Sequence, residues 1–254
     1  MHSFFSEERI YILDSIDSTN NYARTKLRES LTGPIAIIAR EQTKGKGLAS
    51  NTWLSEKNKN LTLSVVLNPE QYHIKNPFLL NKITALCVRD FIIKYTNNAE
   101  KVLIKWPNDI LVDREKISGI LIENTLSANK FLHTVIGVGI NINQDTFPEA
   151  LPNPTSLKLI TKKNHAINLL IPVWLNCFEK WLHELTRCAY TNIHSAYLSA
   201  LFQYNQPAKY KYGTKEIEAT ITNVDAYGRL CLKTIKGESL CCDMKEISFM
   251  NYYS

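Results

Sequence analysis

Val102-Leu103-Ile104-Lys105-Trp106-Pro107-Asn108-Asp109-Ile110-Leu111-Val112-Asp113-Arg114-Glu115-Lys116-Ile117-Ser118-Gly119-Ile120-Leu121-Ile122 holds short apolar runs separated by residues that turn the chain. Pro107 fixes φ, and Asn108-Asp109 favours a bend. Val102 to Trp106, Ile110 to Val112 and Ile117 to Ile122 are therefore expected as consecutive hairpin strands. Working outward, Arg9 to Leu13, Ile35 to Ala39, Leu61 to Leu67 and Phe131 to Ile142 read as further strands. Asp14 to Asn20 is a polar cluster that can cap a helix carrying Tyr22, Ala23 and Leu27. Pro77 can start another helix, with Leu80, Ile83, Cys87 and Phe91 on one face. Asn164 to Thr186 is the clearest amphipathic helix: Ile171, Trp174, Leu175, Phe178, Leu182 and Leu185 share a stripe of the kind that faces a core. A last helix is expected near Ala189 to Leu201.

After Gln206-Pro207 the pattern changes. Glu216 to Val224, Leu230 to Thr234 and Glu238 to Cys242 are short strands, with turns at Ala226-Tyr227-Gly228 and Lys236-Gly237. The expected class is α+β: a mixed or antiparallel sheet with flanking helices over residues 1–205, then a small C-terminal β-barrel over 206–254.

The 254 residues, 44% hydrophobic and 21% charged, suffice to bury a core without disulfides or structural metal. The six cysteines form no C-x-x-C and stand at no zinc-ligand spacing with histidine, which points to reduced thiols and a cytoplasmic location. No secretory signal and no membrane-spanning run is visible. The net charge of +6 fits a solvated surface or attraction to an anion, either a nucleotide or an acidic protein. Dense basic runs interleaved with aromatics are absent, which argues against direct nucleic-acid binding.

Four segments can carry chemistry. Lys44-Gly45-Lys46-Gly47 reads as a flexible basic loop or as a cradle where bare backbone and two cations meet an anion; the spacing is not that of a P-loop. Lys105 to Asp109 reads as a hairpin corner, or as a cation, indole, amide and carboxylate grouped for a magnesium nucleotide. Lys116 is a solvated turn lysine, or a long cation beside the small gap left by Gly119. Gly137 and Gly139 weaken a strand interior, which calls for a bend or for a flat ligand lying on the strand, with Asn141 at its end. No G-x-S-x-G or H-E-x-x-H motif is present, so a hydrolase triad has no support.

In this order, Asp17-Ser18-Thr19-Asn20, Glu41 to Gly47 followed by Trp53, Lys105 to Asp109, Lys116 to Glu123 and Gly137 to Asn141 resemble the bacterial biotin protein ligases. The resemblance runs from about Ile12 to the end of the chain. It implies a class II synthetase-like ligase domain followed by an SH3-like module, without the DNA-binding helix-turn-helix of some members. It also implies activation of biotin by ATP with Mg2+, then transfer to a lysine of a biotin carboxyl carrier protein domain of acetyl-CoA or a related carboxylase. No DNA or membrane partner is expected, and the chain should be a monomer or weak homodimer.

On matching positions, Ser18, Thr19, Asn20 and Gln42 would border biotin. Gly45, Lys46, Gly47 and Leu48 would lie in the loop that closes over it. Lys105, Asn108, Asp109 and Asn141, together with Lys46, would meet ATP, with Asn108 and Asp109 near the metal. Lys116 would be the catalytic lysine, serving biotin and ATP alike, and Gly119 and Gly137 would make room for the ring. The family loop often reads Gly-Arg-Gly-Arg-Arg-Gly; here it reads Gly45-Lys46-Gly47-Leu48-Ala49-Ser50, which implies looser retention of the adenylate. Lipoate ligation and a non-enzymatic nucleic-acid-binding regulator are the competing readings.

Overall fold

The computed structural model describes residues 4–27, 33–48, 51–72, 74, 76–127 and 130–250. Seven strands form the main sheet: β1 (Ile10–Leu13), β2 (Ile35–Ala39), β3 (Leu61–Leu67), β4 (Val102–Lys105), β5 (Asp109–Val112), β6 (Glu115–Ser127) and β7 (Lys130–Ile140). Their spatial order is β1-β2-β3-β7-β6-β5-β4. Only β1 and β2 run parallel; every other neighbouring pair is antiparallel, so the sheet is mixed. The helices are α1 (Thr19–Lys26), α2 (Phe78–Thr96), α3 (Leu157–Thr161), α4 (Ile167–Thr186) and α5 (Tyr190–Ser199). No helix among the described residues is long and apolar enough to cross a membrane.

Side chains alternate across a strand, so each face has its own partner. Leu61, Leu63, Val65, Ile136, Val138, Ile140, Ile110 and Ile104 point to one face. There they join Leu80, Ile83 and Phe91 of α2 and Trp174, Phe178 and Leu182 of α4 in the main core. Each such side chain contributes roughly 1.5–3 kcal/mol on burial. On the opposite face, apolar clusters lie at the two ends. Ala23 of α1 packs there with Ile35, Ile37, Val66 and Val135, and Leu111 packs with Phe202 at the far end. The central stretch carries Gly119, Gly137 and Gly139.

The C-terminal strands β8 (Pro207–Tyr212), β9 (Lys215–Val224), β10 (Leu230–Thr234), β11 (Ser239–Cys242) and β12 (Ile247–Phe249) form a second, antiparallel sheet in the order β11-β10-β9-β8-β12. This is the small β module expected after Gln206; among the described residues β11 and β12 stand at its two edges. It is fastened to the corner after β4. The Trp106 indole N–H donates to the Gly228 carbonyl at 2.8 Å. The segment after α5 also covers the β4 edge: Ile104 N–H donates to Ala200 O, and Phe202 N–H to Ile104 O, both at 2.8 Å.

Several boundaries differ from the sequence pattern, each for a local reason. The long helix begins at Ile167 rather than Asn164, because the Asn143 side chain brackets the His165 backbone with two 2.8 Å hydrogen bonds. Helix α3 was not expected; Ser156 caps it by accepting from Leu159 N–H. Strand β8 exposes most of its side chains and buries only Tyr210, so its alternation is faint.

Gly228 and Gly237 have nearly the same positive φ, 88° and 87°. A Cβ at Gly228 would come within 2.3 Å of the Phe78 ring, whereas nothing lies within 4 Å of one at Gly237. Gly237→Ala should therefore cost about 1–2 kcal/mol from backbone strain alone. Gly228→Ala should cost about 1–3 kcal/mol more. Urea unfolding checks both: the Gly228→Ala midpoint should fall well below that of Gly237→Ala, with unchanged slopes.

Candidate functional site

Register places the site. Thr62 of β3, Gly139 of β7, Gly119 of β6 and Asp109 of β5 stand directly opposite one another in one cross-strand row. Ser64, Gly137 and Leu121 form the adjacent row on the same face. The three glycines leave a trough in the middle of this face. A cavity of about 190 Å³ lies over it, lined by Ser18, Thr19, Asn20, Gln42, Lys46, Gly47, Leu48, Asn108, Asp109, Lys116, Gly119 and Gly137 among others.

One end of the trough is polar. Thr19 begins α1, and its N–H and hydroxyl both donate to Gln42 Oε1, at 2.7 and 3.0 Å. Gln42 thus does what a capping side chain from Ser18 would do: it satisfies an orphan N–H of the helix N-terminus. The Ser64 hydroxyl lies 2.8 Å from Thr19 Oγ1 and donates to Asn20 Oδ1 at 2.6 Å. Asn20 Nδ2 donates to Glu123 at 2.8 Å, and Glu123 is paired with Arg24. Asn20 fills the space above Gly137, where a Cβ would meet its amide oxygen at 2.3 Å.

The other end is ionic. Strand β6 has a bulge opposite Ile110 and Leu111, so that Leu111 faces Lys116 rather than Ile117. The extra residue turns Lys116 onto the face that carries Asp109 and Gly119. Lys116 Nζ then sits 2.7 Å from Asp109 Oδ1, and Lys105 Nζ lies 3.9 Å from Asp109 Oδ2. Burial holds the Lys105 amine below the usual lysine range; Asp109 opposes the shift and Lys116 adds to it. Lys105 also lies over the Phe249 ring at 5.4 Å. Two ammonium groups beside one carboxylate leave a net positive end, suited to an anionic ligand.

The loop after Gln42 closes over the trough. Lys46 and Thr52 form an antiparallel bridge, Gly47 N–H donates to Asn51 O at 2.7 Å, and Trp53 N–H donates to Gly45 O at 3.1 Å. Gly45 is required because its Cβ would lie 2.3 Å from the Trp53 carbonyl oxygen. The Trp53 indole lies on the trough floor. A Cβ at Gly139 would come within 2.3–2.6 Å of indole atoms, and one at Gly119 within 3.1 Å. The indole N–H is buried without a hydrogen-bond partner among the described residues.

The sequence-derived candidates are largely brought together. Gly45 belongs to the adjoining hollow of the loop, and Lys105 reaches the site through Asp109. Asn141 does not line the cavity: its amide donates to Thr155 O at 2.9 Å, tying the end of β7 to the segment before α3. Ala49 and Ser50 lie outside the described residues. Asn108 Nδ2 donates to Ile120 O at 2.9 Å, and the Asp109 carboxylate faces lysines. Among the described residues, no group of three His, Cys, Asp or Glu donors able to hold a metal lies in the trough. Asn108 and Asp109 by themselves do not make up such a three-donor group. Trp53 and Gly139 line the cavity as well, although the resemblance gives neither of them a role. The signal for Gly139 was present: Gly137 and Gly139 are two apart and share a face.

The family model for the biotin/lipoate A/B protein ligase family matches residues 12–141, just over half of the chain. The biotin–[acetyl-CoA-carboxylase] ligase of Paracoccus denitrificans is 28% identical over 240 residues, covering 90% of this chain and 96% of that protein. The bifunctional ligase/repressor BirA of Escherichia coli K12 is 29% identical over 228 residues, covering 88% of this chain and 69% of that one. The biotin protein ligase from Aquifex aeolicus, solved in complex with biotin and ATP, superposes with a TM-score of 0.77 at 25% identity, covering 95% and 98% of the two chains.

Gly139→Ala should push the Trp53 indole off the floor, and Gly119→Ala should disturb it less. Emission attributable to Trp53, taken as the difference from a Trp53→Phe background, should shift to longer wavelength in Gly139→Ala and little in Gly119→Ala.

Proposed function

Because the chain belongs to the biotin/lipoate A/B protein ligase family, we propose that the glycine trough takes biotin and that Lys116 joins its carboxylate to ATP. The reaction is biotin–protein ligation. A carboxylate oxygen of biotin attacks the α-phosphorus of ATP, which gives biotinyl-adenylate and releases pyrophosphate. The amine of an acceptor lysine then attacks the anhydride carbonyl, forms the amide and releases AMP. No side chain needs to become a covalent nucleophile.

The observation that carries this reading is the placement of Lys116 Nζ at the charged end of a trough floored by Gly119, Gly137 and Gly139, 2.7 Å from Asp109. The first step brings two anions together. One lysine about 4 Å from a unit negative charge contributes on the order of 4 kcal/mol at an effective dielectric of 20. That is worth about three decades in rate if realised only in the transition state. Lys116 is the residue assigned to both the carboxylate and the α-phosphate, and Asp109 holds it in place beforehand. Ser18, Thr19, Asn20 and Gln42 at the polar end are assigned to the ureido ring. Lys46, Lys105 and Asn108 are assigned to the nucleotide. Trp53 must leave the floor when biotin enters.

The acceptor is a biotin carboxyl carrier protein domain, and the net charge of +6 suits an acidic one. We assign the ligase domain to residues 1–205 and the module to 206–254, because the second sheet starts at Pro207.

Lys116→Ala should lower biotin-dependent pyrophosphate release about a thousandfold while circular dichroism stays unchanged; normal release would overturn the assignment. Labelled pyrophosphate exchange should require biotin and fail with lipoate, and the reverse preference would make the chain a lipoate ligase. Leu48 lines the cavity and adds no charge. Stopped-flow fluorescence should therefore show fast loss of biotinyl-adenylate, slowed in Leu48→Arg; slow loss from the unaltered chain would contradict this.

A further inference from the structure

Away from the trough, β10 and β11 carry two cysteines that the ligation chemistry does not use. Cys231 and Cys241 are directly opposite one another in the antiparallel register. At the end of this hairpin Thr234 N–H donates to Glu238 O. Bonded and non-bonded pairs alternate from there, which puts Cys231 and Cys241 at a non-bonded position, where facing side chains come closest. Their Sγ atoms are 2.9 Å apart, and both thiols are free. Cys241 is exposed and Cys231 half-buried, whereas the neighbouring Cys242 points into the core.

The Asp225 carboxylate lies within 4.8 Å of both sulfurs. These three groups invite comparison with a soft-metal site, but two observations oppose it. Asp225 is already committed, with Oδ2 accepting from Arg229 Nε at 2.7 Å and Oδ1 accepting from the Tyr227 and Arg229 N–H groups at 2.9 Å. The sulfurs are also too close, since zinc–thiolate bonds of about 2.3 Å in tetrahedral geometry hold sulfurs roughly 3.8 Å apart.

We propose that Cys231 and Cys241 are a modification site, closed to a reversible disulfide by hydrogen peroxide. The exposed Cys241, as thiolate, attacks one peroxide oxygen, breaks the O–O bond and becomes a sulfenic acid, and the hydroxide released takes a proton to give water. The Cys231 sulfur then attacks the sulfenic sulfur, the S–S bond forms, and the sulfenic oxygen leaves as a second water. Two thiols are oxidised and one peroxide is reduced. A dithiol reverses the process by exchange. Burial, the contact with Cys241 and the charge of Asp225 together push the Cys231 thiol up to about 12, so the first attack on peroxide falls to the exposed Cys241. The bridge would staple the two strands that follow the Asp225–Arg229 turn, whose Gly228 carbonyl holds Trp106.

The test uses the full chain, reduced and then treated with one equivalent of hydrogen peroxide. Two of the six thiols should become unreactive to a thiol reagent, the intact mass should fall by two hydrogens, and a non-reducing peptide map should link Cys231 to Cys241. Dithiothreitol should restore all six. In Cys231→Ser the sulfenic acid should persist on Cys241 and be trapped by dimedone. In Cys188→Ser, which removes another exposed thiol, bridging should proceed as before. Independent oxidation of each cysteine to sulfinic acid, linkage through Cys188, or one tightly held zinc ion that shields both thiols would each overturn the proposal. Both serine variants lie outside the trough and should keep biotin-dependent pyrophosphate release, which separates this result from failure of the ligase reading.

Discussion

The site depends on side chains that are absent. Gly119, Gly137 and Gly139 lie on one face of the sheet, at positions where any Cβ would strike Trp53 or Asn20. On the same face an apolar cluster with α1 lies at one end and Leu111 with Phe202 at the other. The opposite face carries the main core on α2 and α4. Stability can therefore reside on one side of the sheet, which leaves the other free to hold a trough that a packed protein interior would normally close.

Glycine alone makes a hollow; the bulge in β6 makes it a site. An unbulged strand would place Ile117 opposite Leu111 and turn Lys116 toward the core. The extra residue reverses that, so Lys116, Asp109 and Lys105 meet on the trough face. The cost is a desolvated Lys105, eased by Asp109. The second sheet supports this end through the Trp106–Gly228 hydrogen bond and the Phe249 ring beneath Lys105.

Much of this was legible in the sequence. Alternation and turn residues place the central hairpins, and three- and four-residue spacing places α2 and α4, because in each case local chemistry agrees with the tertiary partner. The trough residues were legible through motif order. What could not be read depends on contacts far apart in sequence. The helix cap from Gln42 to Thr19 crosses 23 residues, the bulge is a property of a strand pair, and Asn141 is committed to Thr155 rather than to a ligand. Trp53 stands in the motif, but its resting place on Gly119 and Gly139 follows only from how the loop folds back. The C-terminal pattern gave a small β-barrel of short strands, but not which strands stand at its edges, because edge pairing depends on which strands end up as neighbours.

The most direct measurement is a crystal structure of the chain with biotin and ATP. Biotin should lie along Gly119, Gly137 and Gly139, with its ring toward Thr19 and Gln42, its carboxylate at Lys116, and the Trp53 indole moved off the floor. Biotin bound elsewhere, with Trp53 still seated on Gly139, would contradict the assignment of the trough.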